Sequence, residues 1–596
     1  MIWNICFIMS AAALAAAALC AAVSAKRNRQ KRILRPLNLV FGGVFLAVFI
    51  GLVPIFAVML VGQSEFVLKL CMLDALQTLQ AFTINIGADF ILDNINETAG
   101  PISGMYATYM TCLFFIAPVL TFGFLASLFK NALAGLNYRF HYRKDVCAFS
   151  ELNENSLKLA QSLRKQDRKT LIAFTDVDRE EGGISGELLE SAKAMGAVLF
   201  QKDIVAAGFM KHSPRARITF FAINEKERDN LILALKLIEI YRNRKNTDLY
   251  VFSTGTEGEL LLSGAPKGEV RVRRVNEIRS LIYQFLYDEG NRLFETAAES
   301  EENKKEIRAV IAGLGRYGTE MLRALTWFSQ MDGYTVRMDA YDLDELAEER
   351  FSALCPELMS EQYNGVIVPG ESEYTIRIHS GVDVRTSAFV NSLKSLPKPT
   401  FVFVALGDDA ESISQAANIR MLCERFGSKP MIKTVVTGTD EKEALSGITN
   451  FKGQPYDIET IGDLASAYSA EILVGSKLEN AALARHLKWG SEEEFWQYEY
   501  NYRSSMASAV HMKARIACGI SGADKVEDAL TEEERDVIER LEHRRWNAYM
   551  RSEGYVYSGS PDKSSRNDLA KTHHNLVDFS VLTEEDKRKD SQVGTV

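Results

Sequence analysis

The sequence predicts an α/β protein in which three transmembrane helices precede two doubly wound parallel sheets and a small, mostly α C-terminal domain. Three observations support this fold class. Long uncharged apolar runs near the N-terminus are followed by clusters of basic residues, short apolar strands alternate with amphipathic helices along the middle of the chain, and the last part contains a helical pattern that begins with a capping box. A chain of 596 residues corresponds to about three or four domains.

Three apolar runs are long enough to cross a membrane, at residues 2–25, 37–61 and 107–129. The basic segment 26–32 follows the first run, whereas a signal peptide carries its positive charges before its apolar core. Basic residues also follow the third run. Because basic flanks stay on the cytoplasmic side, residues 1–144 are predicted to form a transmembrane region with the N-terminus outside and the later domains in the cytoplasm.

A candidate pore segment lies between the second and third runs, in an apolar stretch that re-enters the membrane or lies on its surface. Thr83, Asn85, Gly87 and Asp89 belong to a sequence that distantly resembles the selectivity filter of potassium channels, where backbone carbonyls replace the hydration shell of the ion. Asn85 stands in place of the first filter glycine, and an extra residue precedes Asp89. The alternative is an interfacial amphipathic helix.

Residues 145–298 alternate strands and helices as expected for a doubly wound parallel sheet. The turn after the first strand contains Glu151 and Glu154 and no glycine. Without glycine the backbone cannot approach a pyrophosphate closely, and the two carboxylates would repel it. We therefore predict a degenerate Rossmann-like domain that is structural or binds something other than a dinucleotide.

Residues 306–490 contain a second Rossmann-like pattern with a binding turn. Gly313, Gly315 and Gly318 form G-x-G-x-x-G between an apolar strand and a helix, and the next strand ends at Asp342. The glycines allow a tight turn, close approach to a phosphate and close helix packing, the helix N-terminus offers free N–H groups, and the acid accepts from ribose hydroxyls. The alternative is a degenerate domain that keeps these glycines for packing and binds nothing.

Three further residues complete the predicted nucleotide contacts. Arg316 lies within the glycine turn, and Asp408 and Asp409 follow the strongly apolar strand at residues 400–406. Loops at the carboxyl ends of neighbouring parallel strands are where ligands bind in such sheets. The aspartates either contact the ligand or cap the next helix. The expected ligand is a nucleotide: NAD, ATP or a nucleotide second messenger.

The two sheets behind a small membrane region resemble the RCK (TrkA-N) domains that regulate potassium channels and transporters. The resemblance covers roughly residues 145–490 and is carried by IAGLGRYG, by the strand end at Tyr341 and Asp342, and by FVFVALGDD. It implies nucleotide ligands whose binding moves a gate in the membrane. The first copy departs from the family because it lacks the glycines, and no clear RCK C-terminal subdomain is visible.

The C-terminal domain, residues 491–596, contains a helix that begins with a capping box at Thr531 and Glu534. Arginines bind phosphate bidentately and aromatic rings stack on bases. The alternative to ligand binding is that the tryptophan belongs to the core and the arginines lie on solvated helix faces. No metal site is predicted, because no metal-binding histidine spacing is present. The candidate ligand-binding residues are Arg503, His543, Arg544, Trp546, Arg551, Tyr555 and His573.

This domain closely resembles the ryanodine-receptor-type repeat (RyR) domain, which also occurs in bacterial proteins. The matching segments are EHRRW at residues 542–546, EGY at 553–555, the histidine pair at 573–574, and LTEEDK. The resemblance implies a ligand-sensing or interaction module without a catalytic role, in a bacterial inner (cytoplasmic) membrane protein.

Taken with the absence of nucleophile-elbow, Walker A and zincin motifs, these patterns predict a membrane-anchored ligand sensor that gates a transmembrane pore or changes membrane permeability. We expect a homo-oligomer, with a tetramer as the specific prediction. Nucleic acid is not an expected partner because the net charge is −9. The alternatives are a membrane-bound NAD(P)-dependent oxidoreductase and a non-conducting signalling scaffold.

Overall fold

The computed structural model describes residues 2–27, 34–62, 66–83, 85–177, 185–263, 266–300, 304–359, 374–438, 442, 445, 449–450 and 452–595. The chain forms two compact units, residues 1–140 and 141–596.

The first unit is helical, and three of its segments are long and apolar enough to cross a membrane: Ile2–Cys20, Leu39–Leu60 and Gly100–Phe122. The three predicted apolar helices are thereby confirmed. The stretch between the second and third spans forms two helices separated by a break, and the first of the two, α3, packs against the second and third spans. The helices are α1 (Ile2–Arg27), α2 (Leu34–Leu60), α3 (Phe66–Phe82), α4 (Ala88–Thr98) and α5 (Ser103–Phe140).

The second unit begins with a six-stranded sheet in which every neighbouring pair is parallel, in the order β3-β2-β1-β4-β5-β6. The predicted doubly wound sheet is confirmed, and the central strands are fully buried, as expected when helices cover both faces. Its elements are β1 (Val146–Phe149), α6 (Glu154–Gln166), β2 (Leu171–Phe174), α7 (Gly186–Ala194), β3 (Val198–Leu199), β4 (Ile218–Ala222), α8 (Glu227–Tyr241), β5 (Thr247–Phe252), α9 (Thr256–Ser263), β6 (Val270–Val275), α10 (Glu277–Glu289) and α11 (Asn291–Glu295).

A second sheet repeats this strand order as β10-β9-β8-β11-β12-β13, with the short β7 antiparallel to the start of β8. The sequence between α13 and α14 is polar; residues 360–373 of it lie outside the described residues, and its last part supplies the edge strand β10. The elements are β7 (Ala298–Glu299), β8 (Lys305–Ala312), α12 (Arg316–Phe328), β9 (Tyr334–Tyr341), α13 (Ala347–Leu354), β10 (Tyr374–His379), α14 (Ser387–Ser395), β11 (Phe401–Val404), α15 (Asp409–Arg425), β12 (Met431–Val435) and β13 (Ile458–Ile461).

The remaining part is mostly helical. Residues 492–517 form two helices, because Tyr498 adopts extended backbone between them. The capping box of Thr531 and Glu534 is present. The elements are α16 (Leu464–Ala467), α17 (Ala470–Leu473), α18 (Lys477–His486), α19 (Glu492–Gln497), α20 (Glu499–Ala517), α21 (Glu532–Ser552), β14 (Val556–Tyr557), β15 (Thr572–His573) and α22 (Glu584–Gly594).

One hydrophobic core connects the second sheet to the C-terminal helices. It contains Phe328 of α12, Phe401 of β11, Val510 of α20 and Tyr549 of α21. Domain limits within residues 141–596 therefore stay a prediction, because a shared core crosses the expected boundary at residue 490.

Candidate functional site

The glycine turn joins β8 to α12 at the carboxyl edge of the second sheet. Gly313 has φ +91°, and a Cβ there would lie 2.2 Å from the carbonyl oxygen of Ala405. A Cβ on Gly318 would lie 1.8 Å from the carbonyl oxygen of Gly313. The fold itself therefore requires glycine at these two positions.

Gly315 differs from its neighbours because the fold does not require it to be glycine. Its φ is −63°, and a Cβ would meet no atom within 4 Å. It is the N-cap residue of α12, where no side chain caps the helix. The free N–H groups of the first turn and the positive end of the helix dipole thus border an open space, as in sites that bind phosphate.

Asp342 supports the turn through both carboxylate oxygens. Its Oδ2 accepts from the N–H of Leu314 at 2.6 Å, and its Oδ1 accepts from the N–H of Asp344 at 2.8 Å. The acid therefore lies beside the glycine turn, as expected, and shapes it. Its predicted contact with a ribose stays a prediction.

Asp408 and Asp409 lie at the same sheet edge and have separate structural partners. Asp408 caps α15 by accepting from the N–H of Glu411 at 2.9 Å. The Oδ2 of Asp409 accepts from the N–H groups of Thr437 and Gly438, at 2.9 and 2.7 Å. Both aspartates thus stabilise the loops beside the glycine turn. A contact of either aspartate with a ligand stays a prediction.

Arg316 extends from the glycine turn to the carboxyl edge of the first sheet. Its Nη2 donates to the hydroxyl of Thr254 at 2.9 Å and lies 3.4 Å from Glu277 Oε1 and 3.6 Å from Glu227 Oε1. The arginine side chain is 60% exposed. Solvent screens such ion pairs, so they stabilise the contact only weakly.

The acids that face Arg316 have unequal proton affinities. Burial raises the pKa of Glu277 above its ordinary value. Burial acts in the same direction on Glu227, but hydrogen bonds from Thr254 and Gly255 outweigh it and lower the pKa. The Arg316 guanidinium therefore lies beside two carboxyl groups. An anion binds at the turn only if the arginine and the helix N-terminus offset the negative charge of these carboxylates.

Helix α12 also links the glycine turn to the C-terminal helices through buried ion pairs. Arg279 Nε lies 2.6 Å from Glu320 Oε1, and Arg279 and Arg323 each place an Nη2 atom 3.0 Å from Glu553 Oε1. Burial alone would favour a protonated Glu553, but Arg279, Arg503 and Arg323 hold its pKa well below the usual range. We name this set of side chains the arginine–glutamate network.

Arg503 belongs to the arginine–glutamate network and is nearly buried. It lies 2.9 Å from Glu259, 3.1 Å from Glu553 and 3.7 Å from Glu499. The predicted phosphate-binding arginine therefore already faces three carboxylates. Its role towards a ligand stays a prediction.

His543, Trp546 and His573 lie together. The Trp546 and His573 rings meet edge to face at 4.9 Å between centroids, and the His543 ring lies 6.0 Å from that of Trp546. His543 is fixed by Asp590 and by the carbonyl of Val577. Burial lowers the pKa of His573 to about 3, so its imidazole is neutral at physiological pH.

The remaining predicted residues of this module have partners elsewhere. Arg544 lies 2.9 Å from Asp332, which follows α12. The Arg551 and Glu357 side chains are 3% and 1% exposed and pair at 3.3 Å. The Tyr555 hydroxyl donates to Asp568 at 3.3 Å. The predicted set is thus distributed over separate clusters.

The pore candidates occupy the break between α3 and α4. The Thr83 hydroxyl donates to the carbonyl of Gln80 at 3.1 Å, and the N–H of Asn85 donates to the same oxygen at 3.2 Å. Gly87 precedes α4, and Asp89 lies in its first turn. Ion conduction by this segment stays a prediction.

Sequence reasoning did not single out the partners of Arg316 and α12. Thr254, Glu277 and Glu553 become relevant only through contacts between distant segments, and no local motif marks the first two. Within the described ranges, no group of three or more His, Cys, Asp or Glu side chains is arranged to hold a metal ion. Neither a protein-family model nor a curated protein matches the sequence.

Proposed function

We propose that the protein is a membrane-anchored sensor that binds a nucleotide-type ligand at the glycine turn of its second sheet and thereby changes membrane permeability. The observation that carries this proposal is the open space at Gly315. Packing and backbone conformation account for Gly313 and Gly318, but not for Gly315. A residue without a side chain at the N-terminus of α12 is accounted for by a phosphate that approaches the backbone.

The contact of Arg316 with the first sheet supports a sensing role. A phosphate at the turn would compete with Glu227 and Glu277 for the guanidinium, and because the arginine is exposed, solvent already screens these ion pairs. Ligand binding would therefore weaken a contact between the two sheets. A ligand shifts such an equilibrium only by its difference in affinity for the two states.

The second part of the proposal is that α12 transmits the effect of ligand binding to the C-terminal helices. The same helix begins at the ligand turn and carries Glu320 and Arg323, which contact Arg279 and Glu553. The resemblance to RCK and RyR-type domains leads us to propose a homo-oligomer, specifically a tetramer, in a bacterial inner membrane, with the N-terminus outside and residues 141–596 in the cytoplasm.

Ligand binding is tested on the purified full-length chain in detergent, by thermal unfolding with NAD, ATP, ADP and cyclic dinucleotides. At a concentration of about 100 times the Kd, a ligand that binds only the folded state stabilises it by about 2.7 kcal/mol, so Tm should rise. Gly315→Asp should abolish the rise, because it places a carboxylate at the N-terminus of α12.

The matched control is Gly186→Asp. Gly186 also lies at the start of a helix, α7, and a Cβ there meets no atom within 4 Å. This variant should respond to the ligand as the wild type does. The binding proposal would be contradicted if the Gly315→Asp variant showed the same rise in Tm as the wild type, or if no nucleotide stabilised the protein.

Permeability is tested separately by ion flux from liposomes that contain the protein. The active nucleotide should change the flux in the wild type and not in the Gly315→Asp variant. Binding without any change in flux would favour the signalling scaffold, and sustained oxidation of NADH would favour the oxidoreductase.

A further inference from the structure

Helix α3 of the first unit contains a buried acid. The Asp74 side chain is 0% exposed, and neither carboxylate oxygen has a hydrogen-bond partner in the structure. An ionised carboxylate in an apolar interior is costly unless it is paired or binds a cation. Ionisable residues in such positions of membrane proteins mark functional sites.

Two more side chains on the same face of α3 contain a buried oxygen atom that lacks a hydrogen-bond partner. Gln77 Oε1 and Thr78 Oγ1 are buried and have no hydrogen-bond partner among the described residues, and Thr78 is 0% exposed. Residues three and four positions after Asp74 lie on its side of the helix. One helical turn thus presents carboxylate, amide and hydroxyl oxygens.

The polar groups of the neighbouring helices form hydrogen bonds with other partners. Tyr106 of α5 donates its hydroxyl to the carbonyl of Gly51 at 2.7 Å, and Ser10 of α1 donates to the carbonyl of Ala47 at 2.6 Å. No ion pair to Asp74 occurs among the described residues of this unit. The oxygens on α3 therefore lack the donors that would satisfy them.

We propose that Asp74, Gln77 and Thr78 form a binding site for a monovalent metal cation such as Na⁺ or K⁺. Oxygen atoms are the ligands that hard cations prefer. A single carboxylate neutralises one positive charge, whereas a divalent ion would leave an uncompensated charge in the apolar interior. A proton on Asp74 can be donated to only one of the other two oxygens, so an amide or a hydroxyl oxygen would stay without a partner.

The test uses the purified full-length chain in detergent without nucleotide, so its result is independent of the proposed sensing function. Thermal unfolding is followed while NaCl or KCl replaces choline chloride at constant ionic strength. The wild type should show a saturable rise in Tm with one of the metal ions. Asp74→Asn should raise the half-saturating concentration at least about tenfold or abolish the response.

Asp93→Asn is the matched control, because Asp93 is an exposed acid on α4 of the same unit. It should keep the wild-type response. Thr78→Val has nearly the same shape but lacks the hydroxyl oxygen, and it should weaken the response even if the Asp74 variant does not fold. A response that persists unchanged in the Asp74 and Thr78 variants, or a Tm that depends on pH and on no metal cation, would overturn the proposal.

Discussion

At the residue scale, His573 shows how burial fixes a protonation state. Its imidazole is 5% exposed and stacks on His574 at 4.6 Å between ring centroids. Burial, with a contribution from Arg566, lowers its pKa from 6.5 to about 3. The unfolded chain therefore binds a proton at a pH where the folded chain does not.

This difference predicts acid sensitivity between pH 6.5 and about 3. Stability from His573 is present above pH 6.5 and is lost as the pH falls, by up to about 1.4 kcal/mol per pH unit. His573→Gln should reduce the slope of unfolding free energy against pH between 6.5 and 5, measured by denaturant titration. An unchanged slope in the His573 variant would contradict this account.

Individual contacts were the least predictable part of the site from the sequence. The turn formed by Gly313, Gly315 and Gly318 follows from their spacing, because a glycine motif between a strand and a helix is local in the sequence. The partners of Arg503 and Arg551 do not, because Glu259 and Glu357 approach them only after distant segments pack together. Charge type alone does not distinguish a ligand-binding arginine from one in a buried ion pair.

At the element scale, α12 connects the glycine turn to the arginine–glutamate network. Glu553 interacts there with Arg279, Arg323 and Arg503. Removing one partner from buried ion pairs leaves uncompensated charges, which costs about 3 to 5 kcal/mol. The network should therefore contribute strongly to the stability of residues 141–596.

Glu553→Gln is expected to destabilise the protein by about 3 kcal/mol or more, since it removes a negative charge with little change in shape. The measurement is the free energy of unfolding from denaturant titration. The control is Glu585→Gln, whose acid is 71% exposed and pairs with surface lysines, so its free energy of unfolding should stay close to the wild-type value. Similar small changes in both variants would show that the network does not stabilise the fold.

Elements were more predictable than contacts because their causes are local. The apolar runs and glycine turns place strands such as Tyr334–Tyr341 within a residue or two. The division of residues 495–516 into α19 and α20 was not predicted, because the helical pattern continues through Tyr498.

At the scale of the whole molecule, the basic segments after the first and third spans predict its orientation. The N-terminus and the loop that contains α4 should lie outside, and residues 141–596 should lie in the cytoplasm. The apolar helices can be predicted from composition, whereas their direction across the membrane depends on the flanking charges that act during insertion.

The orientation is tested by labelling intact cells with a membrane-impermeant maleimide, in a background without other cysteines. Asn96→Cys, at an exposed position on α4, should react in intact cells. Asp524→Cys, at an exposed position between α20 and α21, should react only after lysis. Labelling of the second variant in intact cells would reverse the proposed orientation.

The close contact at Gly318 limits how the second sheet can respond to a ligand. A Cβ on Gly318 would lie 1.8 Å from the carbonyl oxygen of Gly313, so α12 packs closely against the turn that follows β8. We therefore expect β8, the turn and α12 to move together when a ligand binds. Displacement on binding should thus occur where Arg316 meets Thr254, at the boundary between the two sheets, while the interior of the second sheet keeps its geometry.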